Sequence, residues 1–508
     1  MPLRTLGVLL CAAALLVTAC GSGSADSAGT GAAASAPGVA GGAEGATKGS
    51  PTSGPPLVDW PEFGLNPQRG NATNRPTGIT ATNLRRLHAR RISLPGTVDS
   101  SPIYLHGITV RGGSHDVVVV TTSYGRTVAI DADNRDPLWT FTPPGYGSLL
   151  GSAQITTASP LADPDGGFVY AASPDGLIHK LSLASGHEAR RGHWPVRITR
   201  DPTREKIAAA LNVNGPDVLA ATGGYIGDAP TYQGHVVAIS RASGRVDAVF
   251  NTLCAKRHAI IVPTSCPQSA SAILSRGGAV VEPGGKRLLI STGNATWDGV
   301  RYFGDSVLEL SLPALRLRQA FTPRNQAELN SGDLDLGSSA PALLGQGRVL
   351  IAGKDGVMRV LALARLNGHR PGSTRHLGGE VQTLPTPGGD QLFTQPAVWH
   401  NGKATTVFVA DFSATAAYSL RGGHLHERWE NGIPGSSPVF AGGLLYVYDP
   451  EAGGINVYSP DSPQPIDHLP GARGHWNSPI VVDGHVIEPE GDANDHGGTG
   501  TLDLFSLH

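Results

Sequence analysis

Near its C-terminal end the chain carries a dense run of oxygen donors, Glu488-Pro489-Glu490-Gly491-Asp492-Ala493-Asn494-Asp495-His496-Gly497. Asp492, Asn494, His496 and Gly497 partly follow the spacing of a calcium loop, with Asp503 where a closing carboxylate would fall. A hard cation is held by oxygens, however, and His496 stands in a ligand position with a Gly-rich turn behind it. The run therefore reads as an exposed acidic loop. His424 and His426 alternate along one expected strand and so share a face, but two ligands without a third are surface polar residues. The chain has no Gly-x-Ser-x-Gly elbow, no phosphate loop and no His-Glu-x-x-His. It also lacks Cys-x-x-Cys-His, which excludes a fused c-type haem.

The elements that must position these groups repeat one pattern: a small residue and proline, an apolar β run, Gly or Asp-Gly, a second β run, and a turn. Ser101-Pro102, Ser159-Pro160, Ala340-Pro341, Gln395-Pro396, Ser437-Pro438 and Ser478-Pro479 open the clearest copies. Adjacent prolines lie 58, 55, 42 and 41 residues apart, and the gap of 181 between Pro160 and Pro341 has room for two degenerate copies, making eight. Within one copy, Val117 to Val120, Val128 to Asp131 and Leu138 to Phe141 are three β runs separated by turn chemistry, a meander. No amphipathic helical period lies between copies. Four-stranded meanders repeated at this length predict an all-β, eight-bladed β-propeller. The last copy supplies only three strands before His508, so a strand at Leu87 to Leu94 is expected to complete the C-terminal blade and close the ring.

Ahead of that ring, Arg4 and an apolar run from Leu6 to Val17 precede Val17-Thr18-Ala19-Cys20. The run is too short to span a bilayer and suits the core of a signal peptide. Its end resembles a bacterial lipobox. Residues 1–19 are then a lipoprotein signal, Cys20 the acylated first residue, 20–56 a flexible Gly/Ala/Ser linker and 57–508 the propeller. This implies an extracytoplasmic chain held to a bacterial membrane through Cys20. Export favours a disulfide between Cys254 and Cys266, with free thiols or a metal pair as alternatives. A net charge of −2 with 16% charged residues gives no basic field for nucleic acid.

Trp60-Pro61-Glu62-Phe63-Gly64, Asn66-Pro67-Gln68-Arg69 and blades such as Val128 to Trp139 resemble the pyrroloquinoline-quinone (PQQ) enzyme-like propeller superfamily across residues 57–508. The most specific stretch holds Ser291-Thr292-Gly293-Asn294, Trp297, Gly304-Asp305-Ser306 and Asp333-Leu334-Asp335. The resemblance implies Asn294 as a calcium ligand and cofactor contact, and Asp335 as a catalytic base that is also a calcium ligand. Asp228 would be an acidic calcium ligand, and Asp305 and Trp297 would be cofactor contacts. A hard cation that polarises a quinone carbonyl, beside a carboxylate that takes an alcohol proton, is coherent chemistry. Two departures stand against it. The adjacent cysteine pair is replaced by Ser152-Ala153-Gln154-Ile155, and the quinone-flooring tryptophan by Leu274-Ser275-Arg276-Gly277-Gly278. Without that platform a planar cofactor loses a large contact area. The expectation is thus a noncatalytic binding or scaffold propeller, monomeric, serving an envelope protein or saccharide. A calcium/PQQ-dependent alcohol or sugar dehydrogenase is the alternative, and a hydrolase or lyase on the same ring the second alternative.

Overall fold

The computed structural model describes residues 54–507; the expected signal segment, Cys20 and most of the linker lie outside the described residues. Eight four-stranded antiparallel sheets form the blades. Their innermost strands begin at Ile103, Leu161, Asn212, Val280, Ala342, Ala397, Val439 and Ile480. The two units without a proline are those at Asn212 and Val280. At the first, the Leu211 N–H bonds to the Ser159 carbonyl, which proline could not do. The eighth blade pairs Ile480–Val482, His485–Glu490 and Gly500–Ser506 with His88–Leu94, in register from His88 opposite Ser506 to Leu94 opposite Gly500. The N-terminal strand therefore closes the ring, as the sequence predicts.

The apolar positions of facing sheets meet between blades. Ile103, Val117, Val119 and Ala129 of the first blade pack with Ala162, Val169, Ala171 and Leu181 of the second. Trp139 adds an indole N–H to the Leu183 carbonyl at 2.7 Å. The residue before each of these prolines also has a structural role, since at three of the junctions it bonds to its counterpart in the neighbouring blade. The Ser101 N–H donates to Ser159 Oγ at 2.9 Å, the Ser101 hydroxyl to Ser478 O at 3.1 Å, and the Gln395 N–H to Ser437 Oγ at 2.9 Å.

An innermost strand presents unpaired backbone groups to the channel. The segment 57–73 satisfies such groups on five of the eight strands. Backbone N–H groups of Tyr104, Ala162, Val281, Val398 and Phe440, each the second residue of its strand, donate to carbonyls of Trp60, Pro61, Pro67, Gly70 and Asn71 respectively. Arg69 runs up the channel, 1% exposed. It bonds to Glu62 at 2.8 Å, Phe63 O at 2.6 Å, Leu211 O at 2.7 Å and Gly277 O at 3.2 Å. Segment 57–73 is thus a plug whose carbonyls tie five blades together, and Arg69 adds the third blade through Leu211 O.

The Cys254–Cys266 disulfide is present and staples the insertion after the third blade. Closing a loop of this size contributes about 3 kcal/mol in the chain-entropy model. Replacing both cysteines with serine is expected to raise proteolytic cleavage between residues 254 and 266 while leaving far-UV circular dichroism unchanged. Unchanged cleavage would show that the loop is held by its other contacts.

Candidate functional site

Segments that lead into the innermost strands converge around a cavity of about 260 Å³. This is slightly below the common range of small-molecule pockets, roughly 300–1,000 Å³. Because the loops before the first strands of six blades meet here, joined by loops within three blades, residues far apart in sequence come together.

Asp335 sits on one wall, 3% exposed. Its Oδ1 accepts the Asn294 backbone N–H at 2.7 Å, and its Oδ2 lies 2.5 Å from the Lys354 ammonium, itself 3.3 Å from Asp333 Oδ2. Burial raises the Asp335 carboxyl against the opposing pull of Lys354. Burial alone would lower Lys354, but Asp335 and Asp333 outweigh it and hold the ammonium above its ordinary value. Gly293 is needed for this approach, because a Cβ there would meet Asp335 Oδ1 at 2.2 Å.

The other expected site residues divide. Asp228 lines the cavity and accepts the Tyr232 hydroxyl at 2.6 Å. The Asn294 side chain is outside the cavity lining and donates to Asp333 Oδ1 at 3.1 Å. Asp305 lies under the wall, fully buried, accepting the Leu336 N–H at 3.3 Å and the Gln326 amide at 3.2 Å; burial pushes its carboxyl up to about 8. Trp297 packs against the core shared by the third and fourth blades and does not line the cavity.

Sequence reasoning did not single out the residues that complete the site, Lys354 among them. Arg276, in the stretch where the flooring tryptophan is missing, holds Asp99 at 2.6 Å. Asp99, 1% exposed, also accepts from His475 Nδ1 at 2.8 Å and from the Ala493 N–H at 2.9 Å. Burial by itself raises the Asp99 carboxyl, but Arg276, His475 and Ala493 together hold it well below the usual carboxylate range. Lys206, half-buried, also lines the cavity, within electrostatic reach of Arg276 and Asp99. An aromatic wall replaces the lost floor: Phe393 and Trp476 stack at 4.7 Å and 15°, with Phe412 edge-on to Trp476 at 4.6 Å.

The acidic run at 488–497 differs from the exposed loop expected of it. Glu488 and Glu490 belong to the strand His485–Glu490 and are 2% and 8% exposed, because the run starts inside the eighth blade. Only the part after Gly491 is loop, and its Ala493 and Asn494 edge the cavity.

Calcium asks for six to eight oxygens at about 2.3–2.6 Å. Among the described residues, the sets of three His or carboxylate ligand atoms within 4.8 Å of one another are Asp99, His475, Asp492 and His106, Asp116, Asp483. Neither contains Asp228 or Asp335. Both Asp335 oxygens are already engaged, one by an ammonium, so the residues as arranged do not fit that ion.

No family model matches the sequence, and no curated protein matches it. Solved structures do. A quinohemoprotein alcohol dehydrogenase from Comamonas testosteroni is 15% identical, with 89% of this chain and 80% of that one covered at TM-score 0.62. A europium-containing methanol dehydrogenase is 14% identical over 88% and 98% at 0.62, and BamB from Moraxella catarrhalis 10% over 82% and 98% at 0.51. The chain therefore has the eight-bladed propeller fold of the quinoprotein alcohol dehydrogenases.

Proposed function

We propose that this chain is a noncatalytic binding propeller of the cell envelope. In this reading it is exported, lipid-anchored through Cys20, and carries a propeller of residues 57–508 on the linker 20–56. It acts as a monomer that presents its cavity face to an envelope protein, a saccharide or a small molecule. One observation carries the reading: the Lys354 ammonium bridges Asp335 and Asp333 where a metal ion would need those oxygens free. The wall that should floor a quinone instead carries Arg276, spent on Asp99. A hydrolase or lyase would need free carboxylates or histidines at the axis. Asp335 and His475 do line the cavity, but both are paired.

The second reading, a calcium and PQQ-dependent dehydrogenase, is favoured by the 2.7 Å contact that puts Asn294 beside Asp335 at the cavity wall. Calorimetric titration of the purified full-length chain with PQQ, in calcium and in EDTA, separates the two. The binding reading expects no calcium-dependent heat and no alcohol oxidation. Calcium-dependent binding at micromolar affinity, about −8 kcal/mol, with turnover lost in Asp335→Ala, would replace it with the dehydrogenase.

A further inference from the structure

We propose that the seam between the first and eighth blades carries a zinc site formed by His106, Asp116 and Asp483. None of the three lines the axial cavity, so the inference is independent of the reading above. The seam is where the ring closes, and the three side chains come from both sides of it. His106 lies on the strand Ile103–Val110 and Asp116 on Gly113–Thr121, both of the first blade. Asp483 is in the turn between Ile480–Val482 and His485–Glu490 of the eighth.

Local structure aims these groups at one another. The first two strands pair Leu105 with Val117 and Ile108 with His115, so His106 and Gly107 together oppose Asp116. Such a bulge redirects a side chain. The Gly107 N–H donates to Asp116 Oδ1 at 2.8 Å, and the His106 N–H to Asp59 Oδ1 at 2.8 Å, which fixes the backbone that carries the imidazole. Buried Tyr104, two residues back on the same strand, orients Asp483 by donating its hydroxyl to Oδ2 at 3.1 Å. His106 Nδ1 then stands 2.9 Å from Asp116 Oδ1 and 3.2 Å from Asp483 Oδ2, and the three ligand atoms lie within 4.8 Å of one another. A tetrahedral zinc keeps neighbouring ligand atoms about 3.3 Å apart, so both N–O edges are within about 0.4 Å of a zinc site's.

The charge at the seam is the second observation. Among the described residues, neither Asp116 nor Asp483 has an ion pair with a lysine or arginine, and their one basic partner is His106. The cavity carboxylates differ, since Asp335 has Lys354 and Asp99 has Arg276. One Nδ1 hydrogen cannot lie along both N–O lines, whereas a cation among the three atoms serves both carboxylates at once. The donor set selects the metal. An imidazole nitrogen with two carboxylate oxygens suits zinc, while calcium and magnesium take oxygens. Water fills the fourth position, reached past His106, whose side chain is 53% exposed. Bound zinc fastens the first blade to the eighth, beside the strand pairing that already closes the ring.

The test titrates the full-length chain, untagged and stripped with EDTA, with zinc chloride by calorimetry, and with calcium and magnesium chloride beside it. Wild type is expected to bind zinc with micromolar affinity or better. His106→Ala and Asp483→Asn should each weaken it by about tenfold or more. His475→Ala, which removes the histidine of the other three-ligand cluster, should leave it unchanged. Zinc should raise the melting temperature of wild type and not that of His106→Ala. Asparagine tolerates the left-handed backbone of Asp483, at φ 48°, so metal-free Asp483→Asn should melt with wild type. Four results overturn the proposal: no zinc binding, full zinc affinity in both seam variants, loss of it in His475→Ala, or tighter binding of calcium or magnesium. Each leaves the noncatalytic reading of the cavity standing, which the PQQ titration tests separately.

Discussion

Arg69→Met is expected to destabilise the propeller by about 3–5 kcal/mol, read as a lower urea midpoint with little change in slope. The guanidinium is buried in the channel and is the donor to Glu62, Phe63 O, Leu211 O and Gly277 O. Methionine fills much of the volume but donates nothing, so three carbonyls and a carboxylate lose their partner together. Glu62 is 3% exposed, and burial pushes its carboxyl up to about 7 even with Arg69 beside it. Without Arg69 it must take a proton or remain a buried unpaired charge. The double variant Glu62→Gln, Arg69→Met should therefore lose less than the sum of the two single changes. A single-variant loss below about 1 kcal/mol would show that segment 57–73 is held by its strand pairing alone.

The plug also shows what sequence reading can and cannot extract. Strand starts were legible because small residue, proline and apolar run recur, and each part has a local cause: close blade contact at the axis and a backbone position that needs no N–H. The unit at Asn212 lost that signature because Leu211 uses its N–H on Ser159. Ring closure was legible as a count, three strands at one end and a spare β run at the other. The role of Arg69 was not, because its partners at Leu211 and Gly277 lie 142 and 208 residues away.

The same distance separates the cavity from its sequence. Asp228 and Asp335 line it, and both came from a resemblance in short motifs. Asp305 and Trp297 belong to the same motif region, but the chain turns one beneath the wall and packs the other into an interblade core. Arg276, Asp99, His475 and Lys206 come from loops before four different blades, where neither strand period nor local spacing acts. Asp99 and Arg276 are 177 positions apart, Asp99 and His475 376. An acidic run such as 488–497 looks solvated in one dimension, yet the strand His485–Glu490 is buried along its whole length and pairs Glu488 with Asp503.

Asp99→Asn should be the costliest single change at the cavity, about 3–5 kcal/mol at neutral pH. Arg276, whose side chain is 10% exposed, would lose its counter-ion while still facing Lys206, and His475 would lose its charged partner. The pH dependence has a fixed sign. In the folded protein the Asp99 carboxyl is depressed, so its stabilisation is fully present above the unfolded value, near 4, and is lost as pH falls through the folded value. The gap between wild type and Asp99→Asn should therefore be widest at neutral pH and close below about pH 4, measured by urea unfolding across the range. A gap that stays constant from pH 7 to pH 2 would mean that Asp99 acts through shape and not charge.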